Sequence, residues 1–145
     1  MTIRAVTERS LPTWTLFASQ VWQTSEQVLI EKFSNNEFPF EFLYYSQSEE
    51  PIAWISLSLR QDYVEGCQTS PVAYLEGIFI SSNYRSQGIA EELLHFAEGW
   101  AKSRGIGQLG SDAELDNLLS QNFHIKHGFR EVSRTVHYVR NLNIE

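Results

Sequence analysis

A chain of 145 residues that is 42% hydrophobic and 13% aromatic has the size and composition of one folded domain with a sizeable core, which excludes a disordered chain. Its 18 acidic against 11 basic residues leave a formal net charge of -7, the wrong sign for a phosphate backbone, so no nucleic-acid partner is expected. A single cysteine, Cys67, excludes an intrachain disulfide framework. No stretch reaches the ~20 apolar residues of a membrane span and the N-terminus has no apolar signal run, so the expectation is a cytoplasmic protein without a membrane partner.

Ile3 to Val6 reads as a short strand. Leu11 to Trp22 follows as a helix, with Leu11, Trp14, Leu16, Phe17 and Val21 near helical spacing, and Ser25 caps a second helix running to about Phe33. Phe42 to Ser46 and Ile52 to Arg60 form a hairpin pattern around a polar turn, and Gln61 to Pro71 is a loop. Val72 to Ile80 is the next strand; the turn Arg85 to Gly88 then opens a helix whose stripe is Ile89, Leu93, Phe96, Ala97 and Trp100. Gln108 to Ser111 reads as a strand, Leu115 to Lys126 as a helix, and Phe129 to Leu142 as one or two closing strands. This order implies an α/β fold with a mixed sheet, a central parallel strand-helix-strand crossover and flanking helices, all in one domain over residues 1–145.

The run Arg85-Ser86-Gln87-Gly88-Ile89-Ala90 lies between an apolar strand and an amphipathic helix. Consecutive backbone N–H groups and a helix N-terminus there face one point, which suits a pyrophosphate. Gly88 and small Ala90 leave the backbone open to close approach. Further on, His124-Ile125-Lys126-His127-Gly128-Phe129 ends a second strand-helix unit.

With those two segments in that order the chain resembles the GNAT acetyltransferase superfamily, whose cofactor motif is Arg or Gln-x-x-Gly-x-Gly or Ala and whose later helix commonly ends in Gly-Phe. The resemblance implies acetyl-CoA as cosubstrate, with its pyrophosphate on the N–H groups of Ser86, Gln87, Gly88, Ile89, Ala90 and Glu91. It also implies a pantetheine arm paired with the backbone of Ile78, Phe79 and Ile80, like an added strand, and cofactor contacts from Asn117 and Ser120. Many members carry a Tyr that protonates the leaving thiolate; that place holds His124 here.

Asp62-Tyr63-Val64-Glu65-Gly66-Cys67, Ser70-Pro71, Leu75-Glu76-Gly77-Ile78-Phe79 and Ser111-Asp112 look like the bacterial aminoglycoside 6'-N-acetyltransferases in particular. That resemblance implies an aminoglycoside acceptor, antibiotic resistance and a homodimer. Trp22, Tyr63, Glu76 and Asp112 then belong to the acceptor site, and Ser133 stands where some relatives place a further acceptor-binding carboxylate. The chemistry agrees, because a polycationic sugar needs carboxylates and flat surfaces. Glu76, a carboxylate inside an apolar strand, is costly to bury unless it is paired or faces a cleft, and it is the candidate base for the attacking amine. Other readings stay open: Trp22 as core, Tyr63 as a loop anchor, Asp112 as a cap ahead of Leu115, and an enzyme for a different amine or a non-catalytic acyl-CoA-binding module. No pair of histidines is spaced as a metal site, so no metal is expected.

Overall fold

A computed structural model describes residues 2–144, which fall into two compact units, one ending at Asp112 and the other starting at Ala113. The first unit is a five-stranded sheet in the order β1-β2-β3-β4-β5. Its strands are β1 (Thr2–Ala5), β2 (Phe40–Tyr45), β3 (Pro51–Arg60), β4 (Val72–Ile80) and β5 (Leu109–Ser111). Neighbours from β1 to β4 run antiparallel; β4 and β5 run parallel, joined by the helix α3 (Ile89–Lys102) as the sequence predicts.

Helix α1 (Leu11–Trp22) carries Pro in its first turn, where the missing N–H costs nothing, and it ends at Gln23 in a left-handed conformation. Ser25 caps α2 (Glu26–Ser34) by accepting the Val28 N–H at 3.2 Å. Trp14, Phe17 and Ala18 of α1 and Leu29 of α2 bury against Leu43 and Trp54, which face each other across β2 and β3. The next pair along, Phe42 and Ile55, points to the opposite face by the strand's period of two, and Phe42 meets Phe96 of α3 there. Helices on both faces explain why Ile52 to Leu57 is buried without a break.

Between β3 and β4 the register jumps. Ser56 faces Gly77 but Leu57 faces Leu75, so Glu76 is the extra residue of a β-bulge, a device that bends a strand and re-aims a side chain.

The second unit holds α4 (Leu118–Lys126), which starts three residues later than the periodicity predicts because the Asn117 side chain caps it, accepting the Ser120 N–H at 3.1 Å. The closing strands expected over Phe129 to Leu142 do not form: Arg130 to Ile144 carry no helix or strand. A strand needs a neighbour for its N–H and C=O groups, and the described residues of this unit include no other strand to supply one. Val136, Tyr138, Val139 and Leu142 are exposed along it. Among the described residues no helix is long and apolar enough to cross a membrane.

Candidate functional site

Glu76 emerges from the sheet through the bulge, and its carboxylate is held by two neighbours on β3. Ser58 donates its hydroxyl at 2.6 Å, and Arg60 donates through Nε at 3.1 Å and Nη2 at 2.9 and 3.0 Å. The spacing of two puts both partners on one face of β3. The pair is half-open to solvent, with the Arg60 side chain 41% and the Glu76 side chain 28% exposed. Partial burial works against the charge of Arg60, but the hydrogen bonds and the negative charge of Glu76 hold the guanidinium above its ordinary pKa. The sequence reading did not include Arg60, whose signal was its place two residues after Ser58 at the end of an apolar strand.

The network continues from Arg60. Its guanidinium lies 3.4 Å from the centre of the Tyr74 ring, and the Tyr74 hydroxyl donates to Asp112 Oδ2 at 2.7 Å. Burial and the Asp112 carboxylate together push the Tyr74 hydroxyl well above the usual phenol range. Asp112 is therefore engaged by a β4 side chain and is not the cap of the following helix, a role that Asn117 fills. Tyr63 is 74% exposed in the loop between β3 and β4. Beside it the Val64 methyl stands 3.1 Å from where a Cβ on Gly110 would lie, so this part of the loop packs on β5. Gln68 and Gln108 tie the loop down again, the Gln68 N–H donating to Gln108 Oε1 at 2.9 Å and Gln108 Nε2 to Gln68 Oε1 at 2.7 Å.

Trp22 closes the other side of Glu76. Its indole N–H donates to the Glu76 carbonyl at 3.1 Å, and its ring stacks on Phe38 at 5.0 Å and meets Trp54 edge-on at 4.9 Å. Trp22 is thus both part of the core periphery and a wall of a cavity of about 230 Å³, which Phe38, Glu41, Ser56, Ser58 and Glu76 also line. Glu41 is 3% exposed, and burial pushes its carboxyl up to about 8 despite the hydrogen bonds from Ser56, Trp14 and Trp54. It too was missed. Like Glu76, Glu41 is a carboxylate set between apolar strand residues, here Phe40 and Phe42, and that was its signal.

Past Leu75 the parallel strands part. β5 pairs only with Ala73 to Leu75, so from Glu76 through Ile78, Phe79 and Ile80 no strand among the described residues pairs with the corresponding edge of β4. That edge leads to the loop before α3, where Arg85 Nε donates to the Ile80 carbonyl at 3.0 Å. Two residues there adopt left-handed backbone, Ser86 at φ 63° and Gly88 at φ 83°. Gly88 is the N-cap of α3 and no side chain caps that end, so the amides of the first turn, from Ile89 through Ala90 to Glu91, are not taken by a capping side chain. A Cβ built on Gly88 meets nothing within 4 Å. The glycine is therefore required by conformation, and the space in front of it is open to a ligand. Gln87 Nε2 donates to the Asn83 carbonyl at 3.2 Å, which braces the turn. Left-handed residues followed by an uncapped helix start form an anion cradle, which fits a pyrophosphate.

The remaining sequence-predicted residues lie in the second unit. Asn117 caps α4 through Ser120, and His124 Nδ1 donates to the Ser120 carbonyl at 2.6 Å. The His124 ring meets Phe129 edge-on at 5.0 Å, and the Phe129 N–H returns to the His124 carbonyl at 2.9 Å across Gly128 at φ 88°. Ser133 lies in the irregular segment after Phe129. Among the described residues no group of three or more His, Cys, Asp or Glu side chains is placed to hold a metal ion.

Residues 4–129 match the acetyltransferase (GNAT) family. Over 145 residues, covering 98% of this chain and 99% of the relative, the chain is 36% identical to an aminoglycoside N(6')-acetyltransferase type 1 of Acinetobacter baumannii. Among solved structures, the apo aminoglycoside antibiotic 6'-N-acetyltransferase of Acinetobacter haemolyticus superposes with a TM-score of 0.89 at 32% identity, covering 99% of this chain and 100% of that one. AAC(6')-Iy in complex with the bisubstrate analogue CoA-S-monomethyl-acetylneamine superposes at 0.82 with 28% identity, over 97% and 98% of the two chains. With the parted β4–β5 edge, the cradle at Gly88 and the family match in agreement, the chain belongs to the acetyltransferase (GNAT) family.

Proposed function

We propose that this chain transfers an acetyl group from acetyl-CoA to the 6'-amino group of aminoglycosides, a reaction that confers resistance to them. One observation carries the reading: Glu76, a partly exposed carboxylate, is the bulge residue at the point where β4 loses its β5 partner, so an acceptor carboxylate adjoins an edge suited to the donor. Relatives that act on aminoglycosides or are solved with CoA-based ligands support the same substrate pair.

Both substrates are bound together. Glu76, Asp112 and Tyr63, with the ring of Trp22, receive the cationic sugar, and an ammonium at Glu76 loses a proton to the carboxylate, directly or through water, to expose its lone pair. The nitrogen attacks the thioester carbonyl; the C–N bond forms, the C–S bond breaks, the nitrogen gives up its second proton to become the amide, and the thiolate takes up a proton as it leaves with the cofactor. The amides from Ser86 to Glu91 hold the pyrophosphate, and Ile78, Phe79 and Ile80 hold the pantetheine arm. For the second unit the reading rests on the sequence resemblance alone: Asn117 and Ser120 serve the donor, His124 returns a proton to the thiolate, and Ser133 serves the acceptor.

The test is release of free CoA by the purified protein with kanamycin, spermidine and short peptides as acceptors. Kanamycin is expected to be preferred. A preference for spermidine overturns the acceptor, and acetyl-CoA binding without thiol release for every amine overturns the enzyme. We also read the chain as one transferase domain that forms a homodimer in the cytoplasm, a compartment suited to a lone thiol. The exposed apolar side chains of residues 130–144 support the dimer, which light scattering tests.

A further inference from the structure

We infer that Glu41 is a positioning residue of the acceptor site, acting on Glu76 through the indoles of Trp54, Trp14 and Trp22; the inference rests on the acceptor-site reading of Glu76 proposed above. Glu41 Oε1 accepts two indole N–H groups at once, from Trp14 at 2.8 Å and Trp54 at 2.9 Å, while Oε2 accepts the Ser56 hydroxyl at 2.6 Å. All three partners are neutral. A carboxyl buried among neutral donors is a poor device for stability, since apolar packing of the same volume costs less. What it achieves is geometric, because one oxygen fixes two large rings relative to each other.

The contacts lead from those rings to the bulge. Trp54 lies directly beneath Gly77, where a Cβ would stand 2.7 Å from Trp54 Cη2 and 3.2 Å from Trp22 Nε1, so only glycine lets β4 settle onto the rings. Trp22 packs edge-on against Trp54 at 4.9 Å and against Trp14 at 6.4 Å, and its N–H ends on the carbonyl of Glu76. Ser56, the third partner of Glu41, is the β3 residue that faces Gly77 where the register jumps. Glu41 therefore ties both strands of the bulge, β3 through Ser56 and β4 through the indoles. A bulge free to rotate would swing the Glu76 carboxylate, and displacements of about 1 Å in a reacting geometry cost on the order of a hundredfold in rate.

The test compares Glu41→Leu, Glu41→Gln, Trp22→Phe and Glu76→Gln, with Trp22→Phe also placed in the Glu76→Gln background. Trp22→Phe keeps an aromatic ring but removes the N–H together with the pyrrole part of the indole, so it breaks the link to the Glu76 carbonyl and stands in for Glu41→Leu if that variant does not fold. Expected are a fall in kcat of roughly tenfold to hundredfold for Trp22→Phe and Glu41→Leu with acceptor KM and acetyl-CoA affinity within about twofold, and recovery of most of that loss in Glu41→Gln, which keeps an oxygen for the indoles. In the Glu76→Gln background Trp22→Phe adds no further loss, since both act through one carboxylate. If Trp22→Phe raises acceptor KM and leaves kcat alone, or if the two losses multiply, the positioning role is overturned while the reading of Glu76 stands. If Glu76→Gln itself keeps wild-type kinetics, that reading falls and this one with it.

Discussion

On the proposed acceptor side, side chains answer to one another: Glu76 to Ser58 and Arg60, Arg60 to the Tyr74 ring, Tyr74 to Asp112. In the loop from Arg85 to Glu91, by contrast, the groups offered to a ligand are backbone amides, and what matters is the left-handed turn at Ser86 and Gly88 that points them outward. The two regions should fail in different ways. An isosteric change of charge strikes the first and leaves the second untouched, while a change that only adds a Cβ does the reverse.

The largest effect is expected at Glu76. Glu76→Gln keeps the shape and the Ser58 hydrogen bond but removes both the proton acceptor and the charge facing Arg60. If Glu76 takes the proton of the attacking amine, kcat falls by about 10²- to 10⁴-fold and the acidic limb of its pH profile disappears. Acetyl-CoA affinity stays at its wild-type value. A variant in which only acceptor KM rises shows that Glu76 binds the amine and that another group receives the proton.

The same contrast explains what could be read from the residues in advance. Helix α1 and strand β4 were legible to the residue because each is a clean apolar pattern bounded by turn residues, and the cradle was legible because Gly88 sits between strand and helix. The bulge left no mark in the pattern: it depends on how β3 and β4 slide past each other, which two apolar strands do not state. Arg60 and Glu41 escaped for a related reason, since each acquires its meaning from a partner 16 or 13 to 27 residues away. The stretch after Phe129 has strand-like alternation, yet a strand is a property of a pair of segments, and this one has no paired neighbour among the described residues.

A sharper test of the loop uses three substitutions at Gly88. A Cβ there meets no protein atom, so within the protein itself the penalty comes from φ 83°, and any further loss comes from the side chain entering the ligand's space. Left-handed backbone costs an ordinary residue about 1 to 2 kcal/mol, more for a β-branched one and less for Asn, whose side chain can bond locally. The acetyl-CoA Kd, measured by calorimetry, should therefore rise in the order Asn, Ala, Val, reaching roughly tenfold to hundredfold for Gly88→Val. The kcat of enzyme saturated with both substrates should change little. Equal losses for all three residues would point to steric filling of the cradle and away from backbone conformation.

The smallest effect is expected at Asp112, and it probes how far the network on the acceptor side shares its charge. Asp112→Asn keeps an oxygen for the Tyr74 hydroxyl, so the fold and the position of Arg60 over the ring should persist. What disappears is one negative charge for the cationic sugar. A charge-assisted contact is worth about 1.5 to 3 kcal/mol when it is undivided. Here the carboxylate already accepts from Tyr74, with Arg60 close enough to feel its charge, so the loss should be smaller, about threefold to tenfold in kcat/KM and carried by acceptor KM. Tyr74→Phe separates the two uses of the same oxygen. Removing the hydroxyl frees Asp112 for the substrate, so acceptor KM should fall or hold, whereas a rise comparable to that of Asp112→Asn would mean that Tyr74 orients the carboxylate and that orientation outweighs competition. Raising the ionic strength should narrow the gap between wild type and Asp112→Asn, because an exposed charge is screened by salt and the hydrogen bond to Tyr74 is not. If the gap is indifferent to salt, Asp112 acts through the network and not through its field.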